Sequence, residues 1–244
     1  GLVHKEDFLT GSMAAAKGGI TTILDMPNTM PPTTTLEALE QKRKLAGKSV
    51  VNYGLFFGAV EYNLAEIKKA KNIAGVKLYM DYTTGDLKVD DFEFISDVFA
   101  KSRMTVMHAE GRNVKNAIDI FKKTKTRSRI HFAHVSSKEE LMYPSTSRNN
   151  RITVEVTPHH LFMNKENVKK LGAFAEMKPR LKTKKDQKAL WNGIKKGIVD
   201  VIATDHAPHL REEKESLNYP FGVPGVETML PLLLNAFNDK KISL

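Results

Sequence analysis

The chain has 244 residues, of which 41% are hydrophobic, enough to bury one sizeable core and close to the roughly 250 residues typical of a single α/β barrel. Its net charge of +10 comes from lysines spread over helical stretches such as 66–71 and 182–188 without interleaved aromatics, a pattern of solvated faces that argues against a nucleic-acid partner. The absence of cysteine excludes disulfides and thiolate ligands, and with no apolar run of about 18 residues and no signal-peptide pattern, the expectation is a cytoplasmic protein with no membrane partner.

Residues 5–17 read as a helix with Phe8, Leu9, Met13 and Ala16 on one side, ended by Gly18 and Gly19. Residues 20–26 form the first strand, β-branched and running into Asp25, Met26, Pro27, Asn28 and Thr29, with Pro31 and Pro32 beyond. A helix over 34–44, a strand over 50–60 and a Lys-rich helix over 64–71 establish strand–helix alternation. The next strand, 74–80, carries Lys77 between Val76 and Leu78, in a run that otherwise reads as fully buried. An isolated lysine in such a place more often snorkels to the rim than serves chemistry. The polar loop over 81–87, with Thr83, Thr84 and Gly85, is a candidate lid, and a helix over 90–101 follows with Phe92, Ile95, Val98 and Phe99 at helical spacing.

Strands over 104–110 and 129–136 end at His108 and Glu110 and at His134. Ser137 and Glu140 form a capping box for a helix that Pro144 is expected to break early, leaving a surface loop over 144–150. Residues 152–156 alternate as a strand ending in Thr157, Pro158, His159 and His160. Helical pieces are expected at 165–171 and 186–196, with a basic loop over 176–181 between them. The stretch 199–209, Val-Asp-Val-Ile-Ala-Thr-Asp-His-Ala-Pro-His, reads as a buried parallel strand that Pro208 stops, so Asp205 stands at its C-terminal end. Taken alone, that carboxylate is equally a metal ligand or proton carrier and a turn or cap residue. An apolar helix over 225–237 carries Met229, Leu232, Leu233 and Phe237.

Seven strands with ionisable residues at their C-terminal ends describe an α/β fold, a TIM-like (β/α)8 barrel lacking one strand, which is expected before Gly1. One domain over 1–244 is expected, and the absence of a Gly-x-Gly-x-x-Gly or Walker loop counts against dinucleotide or ATP binding.

Asp-Met-Pro-Asn-Thr at 25–29, Gly-Val-Lys-Leu-Tyr at 75–79, His-Ala-Glu at 108–110, His-Val-Ser at 134–136, Glu-Val-Thr-Pro-His-His at 155–160, Asp-His-Ala-Pro-His at 205–209 and Pro-Gly-Val-Glu at 224–227 together resemble the cyclic amidohydrolases and, within them, the dihydroorotase family. The resemblance implies a metal-dependent hydrolase of cyclic amides that closes N-carbamoyl-L-aspartate to L-dihydroorotate in de novo pyrimidine biosynthesis. It implies two zinc ions bridged by a carbamylated Lys77, with His108 and His134 on the second and Asp205 on the first, where Asp205 also acts as base. Asn28 and His209 would hold the substrate carboxylate, with Pro224 and Gly225 also binding substrate. It further implies a homodimer or association with aspartate transcarbamoylase.

The carbamylation makes chemical sense, because a lysine buried among apolar neighbours loses its proton readily and the neutral amine can take up carbon dioxide to become an anionic bidentate ligand. Three features depart from the family pattern. The His-x-His-x-Arg segment of the first strand is missing, Lys178-Pro179-Arg180-Leu181-Lys182 replaces the Asn-Pro-Pro-Leu-Arg of many relatives, and the small β domain built from both termini is absent. An allantoinase or hydantoinase would use the same metal site on another ring, and a catalytically inactive assembly partner is the non-enzymatic alternative. Asn28 and His209 favour a carboxylate-bearing ring.

Overall fold

The computed structural model describes residues 2–83, 85–147 and 149–243. Seven strands, β1 (Thr22–Asp25), β2 (Asn52–Gly58), β3 (Gly75–Tyr79), β4 (Met104–His108), β5 (Arg129–Phe132), β6 (Ile152–Val156) and β7 (Val201–Ile202), pair in parallel in the order of the sequence. The helices are α1 (Phe8–Lys17), α2 (Leu36–Ala46), α3 (Leu64–Lys69), α4 (Phe92–Lys101), α5 (Arg112–Lys123), α6 (Lys138–Thr146), α7 (Pro158–Phe162), α8 (Lys165–Leu171), α9 (Lys184–Lys195), α10 (Arg211–Lys214) and α11 (Met229–Asn238). This is a TIM-like α/β barrel, open between β1 and β7 among the described residues. No helix among them is long and apolar enough to cross a membrane.

The strand period of two sorts the side chains between two apolar layers. Phe57, Val76, Leu78, Met107, Ile130, Phe132, Ile152 and Val154 meet helical residues such as Leu39, Ile95, Phe99, Ile118 and Phe121 in the main core. Phe56, Val106 and Ala133 form a smaller cluster on the inner face. Because Lys77 alternates with Val76 and Leu78, and its register runs from Gly58 through Lys77 and Val106 to His131, the lysine is turned onto the inner face.

Several elements depart from the sequence expectation. Helix α5 was not expected, although Val114, Ala117, Ile118 and Phe121 repeat at helical spacing and are all buried. Its start lacks a side-chain cap, since Gly111 at φ 52° stands where Ser, Thr, Asp or Asn usually would. Helix α6 runs past Pro144 to Thr146, so residues 144–146 are not loop. Proline's fixed φ is helical, the ring is buried, and only one N–H is lost in the closing turn, where Ser147 N–H returns to the Pro144 carbonyl. Helix α11 begins at Met229, because residues 225–228 form a turn that accepts the Met229 N–H on the Gly225 carbonyl.

The face of α1 that packs inward carries Ser12 and Ala15, whereas Leu9 and Met13 are exposed. The small Ser12 permits close approach, and its hydroxyl accepts the Val50 N–H at 3.0 Å. Strand β7 is only two residues long, and Val201 is exposed where burial was expected; it pairs with β6 on one side only, as β1 does with β2, and Leu24 is correspondingly exposed. The chain before β1 reaches across to this edge, with Gly18 against the turn after β7: a Cβ at Gly18 would fall 1.9 Å from the Val226 carbonyl oxygen. Gly18→Ala is therefore expected to cost about 2 kcal/mol by overpacking, a Tm loss of about 4–8 °C for a chain of this size. Thermal unfolding followed by circular dichroism checks it, and an unchanged Tm would refute the contact.

Candidate active site

His108 closes β4, His134 and Asp205 follow β5 and β7 by two and three residues, and Lys77 stands mid-way along β3, two residues before its end. Lys77 is 2% exposed, and its Nζ lies 5.2 Å from the centre of the Tyr79 ring. His108 Nδ1 faces His134 Nε2 at 2.9 Å, both rings being buried, while His108 Nε2 and His134 Nδ1 have no hydrogen-bond partner. Burial, together with the Lys77 and Lys178 charges, pushes the His108 imidazole down to about 3, and burial holds His134 well below its ordinary value. Both rings are thus neutral near pH 7, the form that binds metals. Burial pushes the Lys77 ammonium down to about 8 against the opposing pull of Glu155 and Asp205. The Asp205 carboxyl is pushed up to about 6 by burial and by Glu155.

The donor types, two neutral imidazoles with a carboxylate nearby, are those a zinc-type ion takes. Two nitrogens on one tetrahedral zinc at about 2.0–2.1 Å would stand roughly 3.3 Å apart, more than the 2.9 Å hydrogen-bond distance between the two facing nitrogens here. Among the described residues no three of His, Asp, Glu or Cys converge tightly enough to enclose an ion, so the donor set is the histidine pair with Lys77 and Asp205 near it.

Backbone strain concentrates at the same place, since His134 (φ 40°) and Asp205 (φ 44°) are both left-handed, a state non-glycine residues rarely occupy. Beside Asp205, the His206 Nδ1 accepts the Gly225 N–H at 2.9 Å, which places its proton on Nε2, facing the Glu6 carboxylate at 3.0 Å. Gly225 is buried, and a Cβ there would stand 3.0 Å from the Thr204 carbonyl oxygen; Pro224 is exposed. Glu140 ties two loops together, one oxygen accepting the Gly111 N–H at 2.9 Å and the other the Ser136 N–H at 2.8 Å, just beyond His108 and His134 respectively.

Asn28 follows β1, whose end is fixed by the buried Lys42 ammonium on Asp25 Oδ2 at 2.6 Å and on the Met26 carbonyl at 2.8 Å. The 81–87 loop comes close to it, since a Cβ at Gly85 would lie 3.7 Å from that of Asn28. Thr83 in that loop is half-buried, and Thr84 lies outside the described residues. The loop's base is pinned, Asp81 accepting from the Glu110 N–H at 2.7 Å and from Asn113 Nδ2 at 3.0 Å. His209 is already engaged: Nε2 donates to the Phe221 carbonyl at 2.9 Å, and Nδ1 stands 3.0 Å from Lys5 Nζ, which also pairs with Glu213 at 3.1 Å.

Sequence reasoning did not single out Lys178 or Glu155. Lys178 Nζ lies 5.0 Å from the centre of the Phe221 ring and adds its charge to the field at His108. Its signal was the basic 176–181 loop, while that of Glu155 was an acid at an inward-facing position of an alternating strand.

Residues 3–237 match the model of the amidohydrolase family. The chain belongs to that family. It is 39% identical over 253 residues to the multifunctional protein CAD of Squalus acanthias, covering all of this chain and 11% of that protein. It is 34% identical over 291 residues to a dihydroorotase of Methanosarcina acetivorans, covering all of this chain and 62% of that one. The amidohydrolase chain described here thus spans about three fifths of that dihydroorotase and about a tenth of the multifunctional protein. Its fold matches an L-hydantoinase (dihydropyrimidinase) of Arthrobacter aurescens with a TM-score of 0.88 at 26% identity, over 97% of this chain and 63% of that one.

One further histidine links this amidohydrolase's α7 to the basic loop. His160 is buried, its Nε2 donates to the Pro179 carbonyl at 3.0 Å, and its Nδ1 accepts from the Thr157 hydroxyl at 2.7 Å, so the neutral ring is fully satisfied. Burial pushes it down to about 4. A histidine whose folded value lies below the unfolded one contributes stability that is present above about pH 6.5 and lost as pH falls through about 4. The expected loss is about 3 kcal/mol, read as the fall of the urea midpoint from pH 7 to pH 4. His160→Gln should flatten that fall, and an unchanged pH slope in the variant would contradict the assignment.

Proposed function

We propose that this barrel is the catalytic part of a dihydroorotase, a hydrolase of cyclic amides that interconverts N-carbamoyl-L-aspartate and L-dihydroorotate in cytoplasmic pyrimidine biosynthesis. The observation that carries the reading is the facing pair of neutral imidazoles, His108 Nδ1 and His134 Nε2, buried at the end of the sheet with Lys77, inside β3, and Asp205, just past β7, in the same field of charge. Its support against a hydantoinase is the 34–39% identity to a dihydroorotase and to CAD, compared with 26% to the hydantoinase structure.

In this reading His108, His134, Asp205 and a carbamylated Lys77 would hold two zinc ions, which would supply a Lewis acid for the ring carbonyl and lower the pKa of the attacking water. Lys77 suits carbamylation because burial favours its uncharged amine. Asp205, at the edge of the sheet, takes the proton and returns it to the ring nitrogen as the amide opens. Asn28 and His209 orient the substrate carboxylate, with Pro224 and Gly225 beside it. The 81–87 loop, with Thr83, serves as a lid over the site. Residues 1–244 form one barrel domain, which acts as a homodimer or beside aspartate transcarbamoylase.

The full-length protein is expected to carry two zinc ions per subunit by elemental analysis, and Lys77→Ala to lose both metal and activity, with partial recovery in a short carboxylic acid. A zinc-free active enzyme would overturn the reading. His209→Ala should lower kcat/KM for dihydroorotate by roughly one to two orders of magnitude, the worth of one charged hydrogen bond, at unchanged zinc content. Comparison with dihydrouracil, which lacks the carboxylate, decides between rings: equal turnover of both by the intact enzyme would move the hydantoinase reading ahead.

A further inference from the structure

We infer that Glu155 is the residue that positions His134, fixing the left-handed turn of backbone that aims the His134 Nε2 at His108. The inference rests on the reading of that histidine pair as a metal-holding pair. Strand β5 ends at Phe132, and the ladder to β4 makes its last bond from the Ala133 N–H to the Met107 carbonyl at 3.1 Å. Two residues further on, the Val135 N–H turns the opposite way, to the Glu155 carbonyl at 2.9 Å. Between them His134 adopts φ 40°, and its N–H donates to neither neighbouring strand's backbone but to the Glu155 Oε1 at 3.0 Å. Glu155 thus accepts two successive N–H groups, one on its side chain and one on its main chain.

The carboxylate itself cannot turn. Its Oε2 accepts from His131 Nε2 at 3.1 Å, and the His131 Nδ1 is held 2.8 Å from the Thr153 hydroxyl. His131 and Thr153 are register partners across β5 and β6, and Glu155 follows Thr153 by two residues on the same inner face. Glu155 is 9% exposed and His134 5%, so no water stands ready to replace the carboxylate as acceptor. A buried N–H without an acceptor is strongly disfavoured. If Glu155 were apolar, the His134 peptide would relax towards an ordinary strand conformation and swing the imidazole away from its partner.

The test uses the full-length protein and two variants, Glu155→Gln, which keeps an acceptor for the His134 N–H, and Glu155→Leu, which keeps neither oxygen. Cobalt(II) affinity is measured by competition together with the visible spectrum of the bound ion, and exchange of the His134 amide proton is measured in metal-free protein. Glu155→Leu should weaken cobalt binding about 10- to 100-fold, as loss of a group orienting a ligand does, alter the spectrum and speed His134 exchange. Glu155→Gln should stay within about threefold of the parent in affinity and keep the amide protected. Equal losses in both variants would show that the negative charge matters and not the hydrogen bond, which overturns the inference. So would a Glu155→Leu protein with parental affinity and protection. If Glu155→Leu does not fold, the Gln variant alone decides, because a lost affinity or a fast amide there contradicts the positioning role. A parent protein that takes up no cobalt defeats the metal reading itself, and the amide exchange then decides for or against Glu155.

Discussion

Two imidazole nitrogens facing each other 2.9 Å apart inside protein is the constraint on which the rest of this structure depends. Lone pairs so placed repel unless a proton or a cation lies between them, and the outward nitrogens of the same rings make no hydrogen bond, the nearest carboxylate to His108 Nε2 being Glu110 at 3.7 Å. At that distance the N–H of one neutral ring is given to the lone pair of the other, and burial and the lysine charges keep either ring from taking up a second proton. The arrangement is therefore held by its frame: parallel strands that end at one level, a glutamate that fixes His134, and a second glutamate, Glu140, that binds the loops beyond both histidines to each other.

Strain and rigidity occur together in this frame. His134 and Asp205 both adopt left-handed backbone beyond strand ends, and each is next to a side chain, Glu155 or His206, whose two polar atoms both make hydrogen bonds. Strained residues persist only where their surroundings over-determine them. The inner face supplies that condition by placing polar side chains under the site (Glu155, His131 and Thr153) while the opposite face of the same strands packs into an apolar core.

Much of this was legible in the residues. Strand runs such as Gly75–Tyr79 and Ile152–Val156 are β-branched or alternating, and a histidine or aspartate at or just past the end of several of them points to one end of a parallel sheet. What the residues did not reveal follows from geometry that spacing does not encode. The α5 helix was obscured by its uncapped start at Gly111, and the brevity and exposure of β7 reflect which neighbours it has in space. Glu155 was visible only as part of a motif, since its worth lies in a bond to a backbone group on another strand. His209 was expected to face an incoming carboxylate, and its present bonds to Phe221 and Lys5 depend on segments far from it in sequence.

That distance has a kinetic side. The bonds that seat the Asp205 segment come from the far end of the chain: Glu6 to His206 spans 200 positions, and Lys5 to His209 spans 204. Closing so long a loop is entropically slow and cannot begin until the later segment exists. During synthesis the strands carrying Lys77, His108 and His134 can pair with their neighbours long before Asp205 emerges, so this corner of the site is the last to take shape.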